Sequence, residues 1–202
     1  MKRASMLFSA LVLVATAFAS VQESSLAGLE HLRDPKVSTR KNEKMLVVEA
    51  RGDPNLVGTK AFRLLFQLYY SLKETPKGAG QAAPRARWPL SLETPRSEWI
   101  GLYGLPVPET IRDLPPHQAT EGLKASLTTW EYGEVAEILH VGPYDKEQPT
   151  MRRLQDSAHQ LGYEILSGHE EEYIKGPTMT GPGDPEKYLT IIRYRVQKAS
   201  KK

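Results

Sequence analysis

The chain has 202 residues, with 27 Lys and Arg against 24 Asp and Glu, five His and no Cys. That length supports one domain with a full hydrophobic core, and the lack of Cys excludes disulfides, thiol catalysis and a lipid-modified cysteine. The formal charge of +3 falls to +1 once Lys2 and Arg3 are set aside with the first nineteen residues, which hold no acid; with only a short basic tail at Lys198, Lys201 and Lys202, nucleic acid is not an expected partner.

Two basic residues, an apolar run over 6–19 and small residues at Ala17 and Ala19 form the pattern of a secretory signal, so 1–19 is expected to be a signal peptide and the protein secreted or periplasmic. The run is shorter than the roughly 20 residues that span a bilayer. Membrane contact is expected only if the segment stays uncleaved as an anchor. Residues 20–42 are polar and aperiodic and are read as a spacer.

The body is expected over 43–198. A strand at 45–50 leads to Asp53-Pro54, an acceptor side chain followed by proline, which starts a helix. Val57, Ala61, Leu64, Leu65, Leu68 and Leu72 recur at helical spacing as its buried stripe, flanked by Phe62, Phe66, Tyr69 and Tyr70. The stretch 74–97 is rich in proline and glycine and reads as a long connection or lid without regular structure. Strands follow at 99–106, with Trp99, Tyr103 and Leu105 on one face, and at 123–132.

In the second half a strand at 135–141 ends at Gly142-Pro143, and Asp145 is placed to cap a helix carrying Met151, Leu154, Ala158 and Leu161, which Gly162 stops. Strands are expected at 163–175 and 188–196. Strand, helix, strand, strand thus occurs twice, in repeats of about 43–132 and 133–198. The implied fold is α+β: two such repeats forming a pseudo-twofold antiparallel sheet, with two main helices and a cleft between repeats.

Within the 163–175 strand the run GHEEEYIKGP at 168–177 is heavily charged. Alternation sends His169, Glu171 and Tyr173 to one face and Glu170, Glu172 and Ile174 to the other. At least one glutamate therefore faces inward if this is a core strand.

The motifs HVGPYD (140–145), LGY (161–163), EEYIKGP (171–177) and YLTIIRYRV (188–196) resemble the GyrI-like, or AraC-type effector-binding, small-molecule-binding domain family, and the likeness extends more weakly over ARGDPNLVGTKAFRLLFQLYY and LYGLPVPE. The family is built from two strand-helix-strand-strand repeats, in agreement with the duplication. It usually ends its last strand in Pro-Val, whereas here Arg195 precedes Val196, and no DNA-binding segment is apparent. The resemblance implies that Glu171, two residues before Tyr173, is the carboxylate of the ligand cleft.

A carboxylate among aromatic rings suits a hydrophobic, cationic small molecule. Expected ligand-binding residues are Glu171, Tyr173, Trp99, Tyr103, Trp130 and Tyr132. Three alternatives stand beside this one. Proteins similar to the family open strained cyclopropane toxins, in which case Glu171 would be the general base and Tyr173 or Tyr132 the proton donor. The related SOUL family binds haem on the same duplicated fold, although no cofactor is expected here. A pure interaction module would use the 74–97 loop to grip a partner. His31, His117, His140, His159 and His169 show no metal-ligand spacing, so no metal site is expected.

Overall fold

The computed structural model describes residue 26 and residues 28–91, 93–177, 181 and 183–200. The expected signal peptide at 1–19 lies outside the described residues. In chain order the elements are β1 (Lys36–Arg40), β2 (Glu43–Arg51), α1 (Pro54–Ser71), β3 (Arg85–Trp88), β4 (Ile100–Pro106), β5 (Leu123–Trp130), β6 (Gly133–Val141), α2 (Gln148–Gln160), β7 (Tyr163–Lys175) and β8 (Leu189–Lys198). The strands form one antiparallel sheet of order β1-β6-β8-β7-β3-β4-β2-β5.

The order is symmetric about its middle. β6-β8-β7 from the second half meets β3-β4-β2 from the first along the β7–β3 seam, so β2-α1-β3-β4 and β6-α2-β7-β8 are the two strand-helix-strand-strand repeats. This corrects two of the expectations. β3 lies inside 74–97, which was expected to be irregular, and it pairs on both sides at the centre of the sheet. Four residues flanked by Pro84 and Pro89 give too little alternation to mark a strand, and tertiary pairing creates it. β1 lies inside the expected 20–42 spacer, where the open edge of β6 holds it.

The outer strands tie the two ends of the sheet together. Arg40 stands opposite Gly133 and Glu43 opposite Trp130, so the register of β1 against β6 runs on unbroken into that of β2 against β5. One antiparallel ribbon, bent at 41–42 and 131–132, thereby belongs to both ends and encloses the sheet face that carries no helix.

The helices cover the other face. Asp53 accepts from the Asn55 N–H at 2.9 Å, with Pro54 in the first turn, and Ala61, Leu64, Leu65 and Leu68 are buried against Leu46, Val48, Tyr103 and Leu105. Removing one such leucine side chain costs about 2–5 kcal/mol. Met151, Leu154 and Ala158 of α2 pack on Ala136, Ile138, Ile192 and Tyr194. Asp145 does not cap α2. A 3₁₀ turn at Tyr144–Lys146 comes first, and Glu147 occupies the cap position, its carbonyl accepting from the Met151 N–H at 2.9 Å while its side chain makes no bond to the helix end.

Candidate functional site

β7 positions the site through an irregularity. Ile165 is opposite Val196 and His169 opposite Tyr194, so four steps along β7 match two along β8 and two extra residues are taken up between them. An even insertion preserves parity, and His169, Glu171 and Tyr173 keep the helix-covered face that Tyr163 and Ile165 occupy. Gly168 lies in the bulge because the strand passes close to β3: a Cβ there would sit 1.8 Å from the Trp88 carbonyl oxygen.

Glu171 is buried and bonded on both oxygens. His169 Nε2 donates to Oε1 at 2.9 Å, and the Tyr173 hydroxyl donates to Oε2 at 2.5 Å. Burial opposes its ionisation, but His169, Tyr173 and the nearby indole of Trp88 outweigh it and hold the carboxyl below the ordinary glutamate value. Beside it lies Glu147, also buried, whose carboxyl is pushed up to about 10 by loss of hydration and by the Glu171 charge. The pair therefore consists of one ionised and one neutral acid.

Aromatic rings from both repeats surround the pair. Phe62 of α1 meets the Tyr173 ring at 5.7 Å and the Tyr103 ring at 4.9 Å, Trp88 meets Tyr103 at 5.7 Å, and Tyr144 meets Tyr173 at 5.5 Å and Tyr188 at 5.2 Å. Burial is the first cause that raises the hydroxyl pKa of Tyr173, Tyr103 and Tyr144, and the charge of Glu171 adds to it in each, so these phenols stay neutral. His140, bonded to Thr150 at 3.0 Å, is pushed down by burial.

Of the expected site residues, Glu171, Tyr173 and Tyr103 come together here. Trp99 is half-buried at the margin, its ring tilted against Trp88 at 5.5 Å and its N–H given to the Thr94 carbonyl. Trp130 and Tyr132 are not brought together with Glu171. They lie on the opposite face, where the Arg87 guanidinium covers both rings at 4.2 and 4.7 Å, because the β5 register sets Trp130 opposite Glu43, on the face of Met45 and Val47, with which both rings pack. A phenol there cannot serve as donor to a reaction at Glu171.

Sequence reasoning did not assign Trp88, Glu147, Tyr144 or Thr190 to the site. Trp88 is hidden by the shortness of β3, while Tyr144 lay within the GPY turn already noted. No local pattern marks Glu147.

The opposite face answers the question posed by Glu170 and Glu172. Arg193 donates from all three nitrogens, to Glu137 at 2.8 Å, Glu170 at 2.8 Å and Glu172 at 2.6 Å. Arg85 pairs with Glu43 and Glu172, Arg87 with Glu170 and Arg40 with Glu137. Four arginines thus face four glutamates. The Tyr132 hydroxyl accepts from Arg85 at 2.8 Å and donates to Glu170 at 3.1 Å, its pKa pushed up to about 12 by burial and the Glu170 charge.

The paired repeats and the cluster of acidic and aromatic side chains under their helices define a duplicated α+β domain with a polar site on its helix-covered face. That fold is GyrI-like. No family model matches the chain, and no curated protein matches it. Among solved structures it is similar to an uncharacterized conserved protein from Listeria innocua, at 22% identity and TM-score 0.66, covering 82% of this chain and 93% of that one. A Listeria innocua hydrolase matches at 21% identity and 0.64, covering 82% and 92%. The C-terminal domain of EcmrR matches at 13% identity and 0.56, covering 82% and 98%.

Proposed function

We propose that the cleft binds a small hydrophobic cation, with Glu171 as its counter-charge and Tyr173, Tyr103, Trp88 and Phe62 as its walls. The observation that carries this reading is the buried, ionised Glu171 ringed by aromatic side chains from both repeats. A desolvated carboxylate attracts a cation far more strongly than one in water, and ring faces add to that attraction. Titrating the full chain with a panel of lipophilic aromatic cations is expected to quench tryptophan fluorescence saturably. Glu171→Gln weakens that binding by about tenfold or more, as loss of a charged hydrogen-bond partner does. Saturable binding indifferent to Glu171→Gln removes Glu171 from the site.

A second reading, hydrolysis, is favoured by the neutral Glu147 beside the ionised Glu171, an acid and a base in one cleft. A Listeria chain of similar fold is called a hydrolase. In this reading Glu171 takes a proton from water, the resulting hydroxide attacks a strained ring carbon, and Glu147 or Tyr173 protonates the carbon released when the ring bond breaks. Product from a cyclopropane-fused electrophile above a no-protein control, lost in Glu171→Gln, is the expected result. Turnover equal to the control ends this reading for that substrate.

Export through 1–19 belongs to the proposal as well. Intact mass of the extracytoplasmic protein should begin after Ala19 or Ser20, and a membrane-bound species beginning at Met1 contradicts it.

A further inference from the structure

Glu147 has no structural task that accounts for its burial. It stands at the start of α2 without capping it, is 5% exposed, and one of its oxygens meets no hydrogen-bond partner among the described residues. Three more buried atoms near the two acids share that condition: Trp88 Nε1, Tyr103 Oη and Thr190 Oγ1. Trp88 and Thr190 lie close enough to favour the ionised forms of Glu171 and Glu147 respectively, without closing a bond of proper geometry. Buried polar atoms in native proteins are overwhelmingly partnered. Donors and acceptors gathered incomplete around two carboxyls mark a place that the polar groups of a ligand complete.

We propose that Glu147 and Glu171 act together as a two-carboxyl clamp for an aromatic cation carrying N–H donors, such as an amidinium or a protonated amine, in preference to a quaternary cation. The clamp rests on the cation-binding reading above and names the chemistry it selects. An amidinium directs N–H bonds at carboxylate oxygens, so it can satisfy the open oxygen of Glu147 while its charge lies against Glu171. A quaternary ammonium offers only C–H surface and leaves that oxygen as it was.

The clamp also couples binding to a proton. Glu147 stays neutral because it is desolvated and faces Glu171, and a cation between the acids reverses that balance. The other titratable groups facing the pair are accounted for. Tyr103, Tyr144, Tyr173 and Tyr194 are held neutral, burial disfavours protonation of His140, and His169 is bonded to Glu171. Glu147 is the group assigned the released proton, and its substitution tests that assignment.

The test is calorimetric titration of the full chain near neutral pH with benzamidinium and with benzyltrimethylammonium, each in two buffers of different ionisation enthalpy. The expected result is binding of benzamidinium roughly tenfold tighter or better, with release of up to about one proton, and no release with the quaternary probe. Glu147→Gln, which cannot ionise, should abolish the release and reduce the affinity ratio at least severalfold. The proton count in the unsubstituted protein decides the matter even if the variant folds poorly. A quaternary probe that binds as tightly without release, or a release that persists in Glu147→Gln, overturns the clamp and leaves the cation-binding reading standing. Failure of both probes to bind removes the clamp and counts against that reading too.

Discussion

Glu147 and Glu171 differ by environment alone. Both are buried, but Glu171 accepts bonds from His169 and Tyr173, whereas Glu147 faces the charge of Glu171. An exposed glutamate titrates near 4.5 and Glu147 in the fold near 10, so between those values the folded chain holds a proton that the unfolded chain has lost. Stability must therefore fall as pH rises through that window, by up to about 1.4 kcal/mol per pH unit. Glu171, shifted the other way, contributes stability above its unfolded value that is lost only as pH falls through its lower folded value, and so does not offset this slope. Urea unfolding between about pH 5.5 and 9 should show the decline, and Glu147→Gln should flatten it. An unchanged slope in that variant would place the proton elsewhere. Glu171 was legible from alternation and motif together, since its neighbours in sequence fix which face it shares with Tyr173. Glu147 was not, because its burial comes from β7 and β8 packing over the turn before α2.

At the scale of elements, the long regular pieces announced themselves through period and caps, as with the Asp53-Pro54 start and leucine stripe of α1. The short ones did not. β3 and β1 are strands because β7, β4 and β6 offer them paired edges, and no local pattern carries that information. One signal was available in retrospect: R-A-R at 85–87 and R-Y-R at 193–195 are arginines at strand spacing, complementary to the glutamates of β7 at the same spacing. The β7–β3 seam depends on close approach at Gly168. Gly168→Ala drives a methyl into the Trp88 carbonyl and the Pro89 Cα, and should destabilise by about 1–3 kcal/mol. Because Trp88 moves with it, tryptophan emission should shift as well. A variant of unchanged stability and emission would mean that the seam is looser than its geometry.

For the molecule as a whole, the ribbon joining both ends of the sheet separates two polar systems on opposite faces. The enclosed side holds charges already matched to one another, and the helix-covered side holds a carboxylate and several polar atoms still open to a partner. Arg193 is central to the first. Arg193→Ala leaves the buried Glu137 and Glu170 and the half-buried Glu172 without their shared cation, and should cost about 3–5 kcal/mol in chemical unfolding. A loss below about 1 kcal/mol, the range of an exposed pair, would show that water enters this face. The pseudo-twofold repeat and the division of β7's glutamates between two faces were readable in the sequence, but the partners each face supplies were not, because they come from β3, β6 and β8 across the sheet. The central claim is that ligands are held at Glu171, under the two helices. A crystal structure of the full chain with an aromatic amidinium tests it most directly. The account predicts the amidinium nitrogens within hydrogen-bonding distance of Glu171 and its ring among Phe62, Trp88, Tyr103 and Tyr173; a ligand bound elsewhere, with the Tyr173–Glu171 bond intact and the cleft unchanged, would contradict it.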